Sequence, residues 1–283
     1  MITRRHFLAV AAKATAASVL GGSIYGLFEA KWLRVTRVEV ALPNLPAAFR
    51  GMSLAFLADF HHSEMVPADY IRHTVSVVNG LSPDVILLGG DYVTAGRIYR
   101  DIGMGIKYLA PCFSILKNLR APNGVFAVAG NHDARAGIRE TNKAIAAAGF
   151  VNLTNRGVWL ERAGARLRLA GIGDFVTQRQ DVFAALSGVT ARDAALLLTH
   201  NPDCIEYLSD TRVGLVLSGH THGGQVVLPW IGSPIVPSAF GNKYRYGLVQ
   251  GPRVPGYVTS GVGTLPLAIR VNCRPEVALL TLV

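Results

Sequence analysis

Short apolar runs recur along this chain, and five of them lead directly into a cluster of Asp, Asn or His residues. The five runs cover residues 53–58, 85–88, 125–129, 195–198 and 215–218. Short apolar runs bounded by turn residues are typical of buried strands. Because strands that alternate with helices form layered α/β proteins, we expect the polar residues to gather where the strands end.

The remaining segments complete an alternating order of strands and helices. We expect an edge strand over 35–41, further strands over 166–170 and 277–282, and helices over 67–79, 102–119 and 138–148. Half of the residues are hydrophobic and only 16% are charged, which excludes a disordered, solvated chain. No Pro/Gly/Ser-rich linker interrupts residues 31–283, so the sequence predicts one domain there.

The charged and sulfur-containing residues exclude two further classes. The formal net charge of +10 is spread along the chain without a run of Lys or Arg, so we expect anionic substrates or envelope surfaces and no nucleic acid. The three cysteines are widely spaced and include no C-x-x-C pair, which argues against a disulfide framework and a thiolate metal site.

The first thirty residues are typical of an export signal. Arg4 and Arg5 are followed by Phe7 and Leu8, and residues 14–28 contain no charged residue. The paired arginines resemble a twin-arginine signal, which implies the twin-arginine export machinery and a periplasmic or cell-envelope location. Residues 1–30 are either cleaved after export or kept as an N-terminal anchor that associates with the membrane.

The polar clusters at the strand ends contain metal-ligand chemistry. They supply carboxylates, an amide oxygen and imidazoles, from Asp59, His61, Asp91, Asn131, His132, His200, His220 and His222. Oxygen and nitrogen ligands without thiolates suit divalent Mn, Fe or Zn. Because there are too many ligands for one ion, two ions that share a carboxylate would use them best.

In chain order these residues spell D-x-H, GD, GNHD, H and GHTH. The set resembles the signature of the calcineurin-like metallophosphoesterase superfamily. The Gly223-Gly224-Gln225 extension and the tail over 272–276 are similar to its exported bacterial phosphodiesterase branch. The resemblance implies an α/β fold, a four-layer α-β-β-α sandwich of two mixed β-sheets flanked by helices.

The resemblance also implies a role for each motif residue. Asp59, His61 and His222 would bind the first metal, Asn131, His200 and His220 the second, and Asp91 would bridge them. His132 would contact the phosphate and protonate the leaving oxygen, and Asp133 would orient His132. We expect two divalent metal ions, manganese first, with iron or zinc as alternatives.

The implied reaction is hydrolysis of a phosphodiester by a metal-bridging hydroxide. One alternative is a lipid-linked pyrophosphatase, such as one acting on UDP-diacylglucosamine, because an apolar, Pro-rich loop over 228–240 follows the GHTH motif. A phosphomonoesterase would use the same metals. A non-catalytic scaffold is the fourth possibility, and the complete ligand set argues against it.

Overall fold

The structure, a computed structural model, describes residue 4 and residues 21–95 and 105–283. The first of two six-stranded sheets has the order β1-β12-β2-β3-β4-β5. Its strands are β1 (Arg34–Val40), β2 (Ser53–Leu57), β3 (Val85–Leu88), β4 (Val125–Ala127), β5 (Val151–Asn152) and β12 (Glu276–Leu282). Strands β2 to β5 are parallel, and only β12 against β2 is antiparallel. The sheet is therefore mixed, with the predicted edge strand at its edge.

The second sheet has the order β10-β11-β9-β8-β7-β6. Its strands are β6 (Arg156–Arg162), β7 (Ala165–Gly171), β8 (Ala195–Leu198), β9 (Leu215–Ser218), β10 (Gly247–Gln250) and β11 (Pro255–Val258). The four central strands are parallel, and antiparallel strands flank them on both sides. The second sheet is therefore mixed as well.

Three apolar cores separate four layers. The middle core lies between the sheets, where Phe56 and Leu87 of the first sheet and Leu196 of the second are fully buried or nearly so. An outer core packs the longer helices on the first sheet, and a smaller one packs two short helices on the second. Because the central strands are covered on both faces, they are apolar throughout. The predicted α-β-β-α sandwich is confirmed.

Three helices follow the predicted order with shifted ends, and two short helices after them were not predicted. These helices are α1 (Ala68–Gly80), α2 (Leu109–Leu116), α3 (Asn131–Ala147), α4 (Val182–Ala185) and α5 (Cys204–Tyr207). Helix α1 starts directly after Pro67, as expected from proline's fixed φ. Helix α3 begins seven residues earlier than predicted, since it starts at Asn131 and passes a non-helical residue at Gly137. Residues 102–104 of the predicted second helix lie outside the described residues.

The N-terminal part of the described chain is a short helical segment over 21–29. Apart from residue 4, the predicted signal up to residue 20 lies outside the described residues. Among the helices that the structure describes, none combines the length and the hydropathy needed to cross a membrane.

Candidate active site

The predicted ligands all follow parallel strands at their carboxyl ends. Asp59 and His61 follow β2, Asp91 follows β3, and Asn131 begins α3 after β4. From the second sheet, the loops after β8 and β9 contribute the other three, His200, His220 and His222. The seven side chains meet at one edge of the sandwich, and all except the partly exposed His220 are buried. This convergence is the geometry expected of a site in a layered α/β protein.

One group of ligands combines Asp59, His61 and His222. Each offers an atom within 4.8 Å of the other two. The Nε2 atoms of His61 and His222 are 3.1 Å apart, and His222 Nε2 lies 3.8 Å from Asp59 Oδ1. Ligand atoms of one cation with bonds of about 2.0–2.1 Å lie about 3 Å apart. The spacing therefore suits one divalent ion.

A second group surrounds His200. Its Nε2 lies 3.2 Å from Asp91 Oδ2, 3.1 Å from Asn131 Oδ1 and 3.2 Å from His220 Nδ1. His200 Nδ1 donates to the backbone oxygen of Gly89 at 2.8 Å, so Nε2 is the ring nitrogen that faces the group and presents a lone pair when its proton is lost. Four nitrogen and oxygen atoms thus face a common point, where a cation would bind them.

Asp91 connects the two groups. Its Oδ2 lies 3.5 Å from His61 Nε2 and 3.2 Å from His200 Nε2. Burial raises the pKa of this carboxyl, but nearby His200 and His132 outweigh burial and hold the pKa well below its usual range. Asp91 is therefore an ionised carboxylate within reach of both groups.

The protonation of the histidines suits metal binding. Burial lowers the pKa of His61 to about 3 and the pKa of His220 to about 4, so both rings are neutral at physiological pH. His200 differs: burial lowers its pKa, but Asp91 and Asp59 outweigh burial and raise the pKa to about 10. A neutral imidazole can bind a metal ion through its lone pair. The carboxylates of Asp91 and Asp59 make the surroundings of His200 favourable for a positive charge, which a metal ion would supply. The residues therefore fit two divalent cations.

The match to a known family follows this geometry. The family model described as calcineurin-like phosphoesterase matches residues 52–224. The chain belongs to this family. Its members use divalent metals, so the candidate ligand groups are those of a metallophosphoesterase. The family resemblance and the enzyme class expected from the motifs are confirmed.

Relatives of this metallophosphoesterase extend over most of its length. It is 34% identical to phosphodiesterase YaeI of Escherichia coli strain K12, over 100% of both chains. It is 30% identical to the uncharacterized metallophosphoesterase YkuE of Bacillus subtilis strain 168, over 99% of this chain and 98% of YkuE. It is also 25% identical to UDP-2,3-diacylglucosamine pyrophosphatase LpxG of Chlamydia muridarum, over 71% and 73% of the two chains.

The phosphoesterase holds its ligands on strained backbone. Of the seven candidate ligands, five have positive φ angles between 48° and 69°: Asp59, His61, Asp91, His220 and His222. Residues other than glycine rarely adopt this region, and such strain concentrates at functional sites. The surrounding packing therefore imposes the positions of these side chains.

Two glycines allow the loops to approach closely. A Cβ at Gly90 would lie 2.4 Å from the backbone nitrogen of Gly130, and a Cβ at Gly219 would lie 2.4 Å from Asp59 Oδ2. Any larger residue would therefore push apart the loops that carry the ligands.

His132 stands beside the ligands and is partly exposed. Its Nδ1 accepts a hydrogen bond from the backbone N–H of Ala95 at 3.0 Å. Burial lowers the pKa of His132, so the neutral ring carries its proton on Nε2. His132 therefore presents an N–H donor next to His61 and Asp91.

Asp133 has different partners from those expected. Its carboxylate accepts from the backbone N–H groups of Asp91 at 2.7 Å, Tyr92 at 2.9 Å and Gly130 at 2.9 Å. Among the described residues, Asp133 and the His132 ring share no hydrogen bond, since consecutive helix residues point in different directions. The expected orienting role of Asp133 therefore stays a prediction. Asp133 ties the Asp91 loop to the start of α3.

Sequence reasoning missed two residues that support the ligands. The hydroxyl of Thr94 lies 3.2 Å from His61 Nδ1. Arg270 is fully buried and donates to the backbone oxygens of five residues, including His222. The other four are Ser260, Gly261, Gly263 and Cys273. No local motif signals either contact, because the partners lie 33 and up to 48 residues away in sequence.

Proposed function

We propose that this metallophosphoesterase hydrolyses phosphodiesters with two divalent cations held by the two ligand groups. The observation that carries the proposal is the position of Asp91, whose Oδ2 lies within 3.5 Å of a histidine nitrogen from each group. A carboxylate shared in this way is what a pair of ions about 3.5–4 Å apart requires.

The proposed ligand sets follow the two groups. Asp59, His61 and His222 would hold the first cation, and Asn131, His200 and His220 the second, with Asp91 common to both. When bound, the two cations polarise the phosphoryl oxygens and lower the pKa of water toward about 7. We propose manganese, with iron or zinc as alternatives, because the mixed oxygen and nitrogen ligands suit these metals.

His132 would supply the proton for the leaving oxygen. Its Nε2–H is the free donor of the neutral ring, since Nδ1 accepts from Ala95. The ring lies edge-on to His61, with the centroids 4.8 Å apart, so the donor stands beside the first group. The same N–H would stabilise negative charge as it develops on the phosphoryl group.

The choice of a diester rests on the relative that spans the whole chain, which is named a phosphodiesterase. A lipid-linked pyrophosphate is the second candidate, because one relative is named a UDP-2,3-diacylglucosamine pyrophosphatase. The loop over 228–240 supports this candidate, since Trp230, Ile231 and Ile235 are exposed. A phosphomonoester is compatible with the same ligands. We further propose export by the twin-arginine machinery to the periplasm or cell envelope, supported by Arg4, Arg5 and the uncharged run that follows.

The test is hydrolysis of bis-p-nitrophenyl phosphate by the full-length protein. We expect activity to disappear on chelation, to return with Mn²⁺, and to be absent in Asp91→Asn. Asp69→Asn is the matched control, because the Asp69 side chain is 89% exposed and its ion-pair partner is Arg72 of the same helix. Comparison with p-nitrophenyl phosphate separates diester from monoester preference. A folded protein that is inactive on both esters with every divalent metal would contradict the proposal and favour the scaffold.

A further inference from the structure

A band of surface near the ligand loops exposes large apolar side chains. It is formed by the helical segment 21–29 with Trp32, the turn over 228–235 and the loop over 265–269. We call this band the apolar rim and define it by nine exposed residues: Ile24, Leu27, Phe28, Trp32, Leu228, Trp230, Ile231, Ile235 and Leu267. Large exposed apolar patches mark interaction sites.

The three segments of the apolar rim are joined by hydrogen bonds. The N–H of Arg270 donates to the backbone oxygen of Gly26 at 3.0 Å. The next residue bonds to the turn segment: the oxygen of Val271 accepts from the N–H of Val227 at 2.9 Å. Residues 270–271 therefore lie between the helical segment and the turn, which makes the rim continuous.

The helical segment is oriented with its apolar side outward. Its buried residues are the small or polar ones, Gly26, Glu29 and Ala30. The carboxylate of Glu29 accepts from the backbone N–H groups of Asn272 and Cys273. Its large exposed residues are Ile24, Leu27 and Phe28, at 60%, 51% and 65%, together with Tyr25 at 43%. On the surface of a soluble protein, a helix buries its apolar side and exposes its polar side. Because this segment does the reverse, we expect its exposed side to face an apolar environment.

Trp230 is unfavourable for the isolated protein in two ways. It has a positive φ of 62° at the tip of the turn that pairs Leu228 with Gly232. Its side chain is fully exposed, with a relative accessibility of 103%. Asn or Gly would suit this backbone better, and no packing among the residues that the structure describes explains a tryptophan. Its apolar ring is therefore expected to contact something outside the chain.

The charges around the apolar rim identify the class of that partner. The segments 21–34, 225–247 and 262–275 contain one acidic residue, the buried Glu29. Five basic residues of these segments lie outside the core, Lys31, Arg34, Lys243, Arg245 and Arg274, whereas Arg270 is fully buried. Arg34 and Lys243 pair with Glu276 and Glu206, so Lys31, Arg245 and Arg274 supply the positive charge that no carboxylate partner balances among the described residues. Exposed Trp, Phe, Leu and Ile beside basic residues are typical of surfaces that bind anionic lipid. The uncharged run over 14–28 also leads directly into the rim.

We propose that the apolar rim docks on an anionic lipid bilayer and presents the metal site to phosphoester substrates carried in that bilayer. The distance to the site is short, since Ser233 Oγ in the turn donates to the oxygen of Gly224 at 2.9 Å, two residues after His222. The choice of a lipid-borne substrate rests on the proposed function, whereas docking does not.

The experiment measures docking and catalysis separately on the full chain. Binding to vesicles of phosphatidylglycerol and phosphatidylethanolamine is measured by co-sedimentation. Insertion is measured by tryptophan quenching with brominated phosphatidylcholine in the same vesicles, and Trp230→Phe identifies the Trp230 signal. Activity is compared on hexadecyl p-nitrophenyl phosphate in the vesicles and on soluble bis-p-nitrophenyl phosphate.

Trp230→Asn is the decisive variant, because asparagine suits the positive φ and leaves the fold intact. We expect its vesicle binding, or its activity on the vesicle-borne ester, to fall at least about tenfold. Its thermal stability and its activity on the soluble diester should stay at wild-type values. Phe183→Asn is the matched control, since Phe183 is 82% exposed outside the rim, and it should bind vesicles like the wild type.

Three results would overturn the proposal. Unquenched Trp230 emission in protein that sediments with vesicles would show that another segment holds the lipid. Equal loss of binding in Trp230→Asn and Phe183→Asn would show a non-specific effect. A wild-type dimer that Trp230→Asn dissociates would make the rim a contact between copies. Loss of hydrolysis on both esters with docking intact would instead refute only the proposed function.

Discussion

Replacing Arg270 tests how the fold holds the first ligand group. Its guanidinium donates to five backbone oxygens, at 2.6 Å to Gly263, 2.7 Å to Ser260, and 3.1–3.3 Å to Cys273, Gly261 and His222. Arg270→Met keeps the apolar stem and removes all of these bonds. Each bond contributes about 1 kcal/mol net, and methionine avoids burying a charge. The five bonds together contribute about 5 kcal/mol, and the avoided cost of burying a charge offsets about 2 kcal/mol of this, so we expect the free energy of unfolding to fall by about 3 kcal/mol.

Arg270→Met should weaken metal binding more than its loss of stability alone predicts. Arg270 holds the backbone of His222, and the N–H of its partner Gly263 donates to the backbone oxygen of Asp59 at 2.6 Å. Removing contacts that orient ligands typically costs about 10–100-fold in metal affinity. We expect Arg270→Met to bind one of two Mn²⁺ ions about 10–100-fold more weakly than the wild type, and the other ion with wild-type affinity. The measurement is calorimetric titration of Mn²⁺ into protein from which a chelator has removed the metal.

Arg168→Met is the matched control for this measurement. Arg168 is also buried and donates twice to the oxygen of Ala185, at 3.1 and 2.8 Å, on the outer side of the second sheet. It should lower the urea midpoint and leave both Mn²⁺ affinities unchanged. If Arg270→Met is destabilised but binds two ions with wild-type affinity, the positioning argument is wrong.

Three further predictions follow from the same site. His132→Asn should lower kcat on bis-p-nitrophenyl phosphate by about 10²–10⁴-fold while two Mn²⁺ ions still bind; parallel loss of metal would contradict its role as proton donor. Asp133→Ala should lower the free energy of unfolding by about 2–4 kcal/mol, because three backbone N–H groups lose their acceptor, and a urea midpoint equal to the wild type would contradict this reading. Mn²⁺ binding at pH 8 should release protons, because the raised pKa of His200, about 10, keeps that ring protonated until a cation displaces the proton. Calorimetric enthalpies should therefore differ between buffers of different ionisation enthalpy, and equal enthalpies would refute the assignment.

The sequence predicts the central strands well and the sheet margins poorly. Strands β3, β8 and β9 match their predicted bounds, because strands covered on both faces are continuous apolar runs. Four strands were missed: β5, β6, β10 and β11. The first three lie at sheet edges, where residues are half-buried and the apolar run is broken. Strand β11 lies inside the second sheet, but it is only four residues long and begins with Pro255 and Gly256, which favour a turn. Ala163 and Gly164 form the two-residue turn of the β6–β7 hairpin, and both have a positive φ. Gly164 was the signal for this turn that the sequence offered.

The ligand residues are predictable because each stands within a short motif, whereas their supports are not. The guanidinium of Arg270 acts on backbone oxygens, which every residue carries, so no residue type marks its partners. The N–H of Ala95 fixes the tautomer of His132 in the same way. The role of Asp133 was expected from the family resemblance, whereas its contacts with the N–H groups of Asp91, Tyr92 and Gly130 depend on the fold and could not be predicted from the sequence.

Each ligand group draws on both sheets, and this has a mechanical consequence. Asp59 and His61 follow a strand of the first sheet and His222 one of the second, while Asp91 and Asn131 meet His200 and His220 in the same way. A cation in either group would therefore cross-link the two sheets, in addition to the apolar packing of the middle core and hydrogen bonds such as that from His200 to Gly89. Because a bound ion stabilises the folded state by an amount that grows with the logarithm of its affinity, metal loss would loosen this edge of the sandwich first. The ions that serve the reaction would thus also fix the spacing between the sheets.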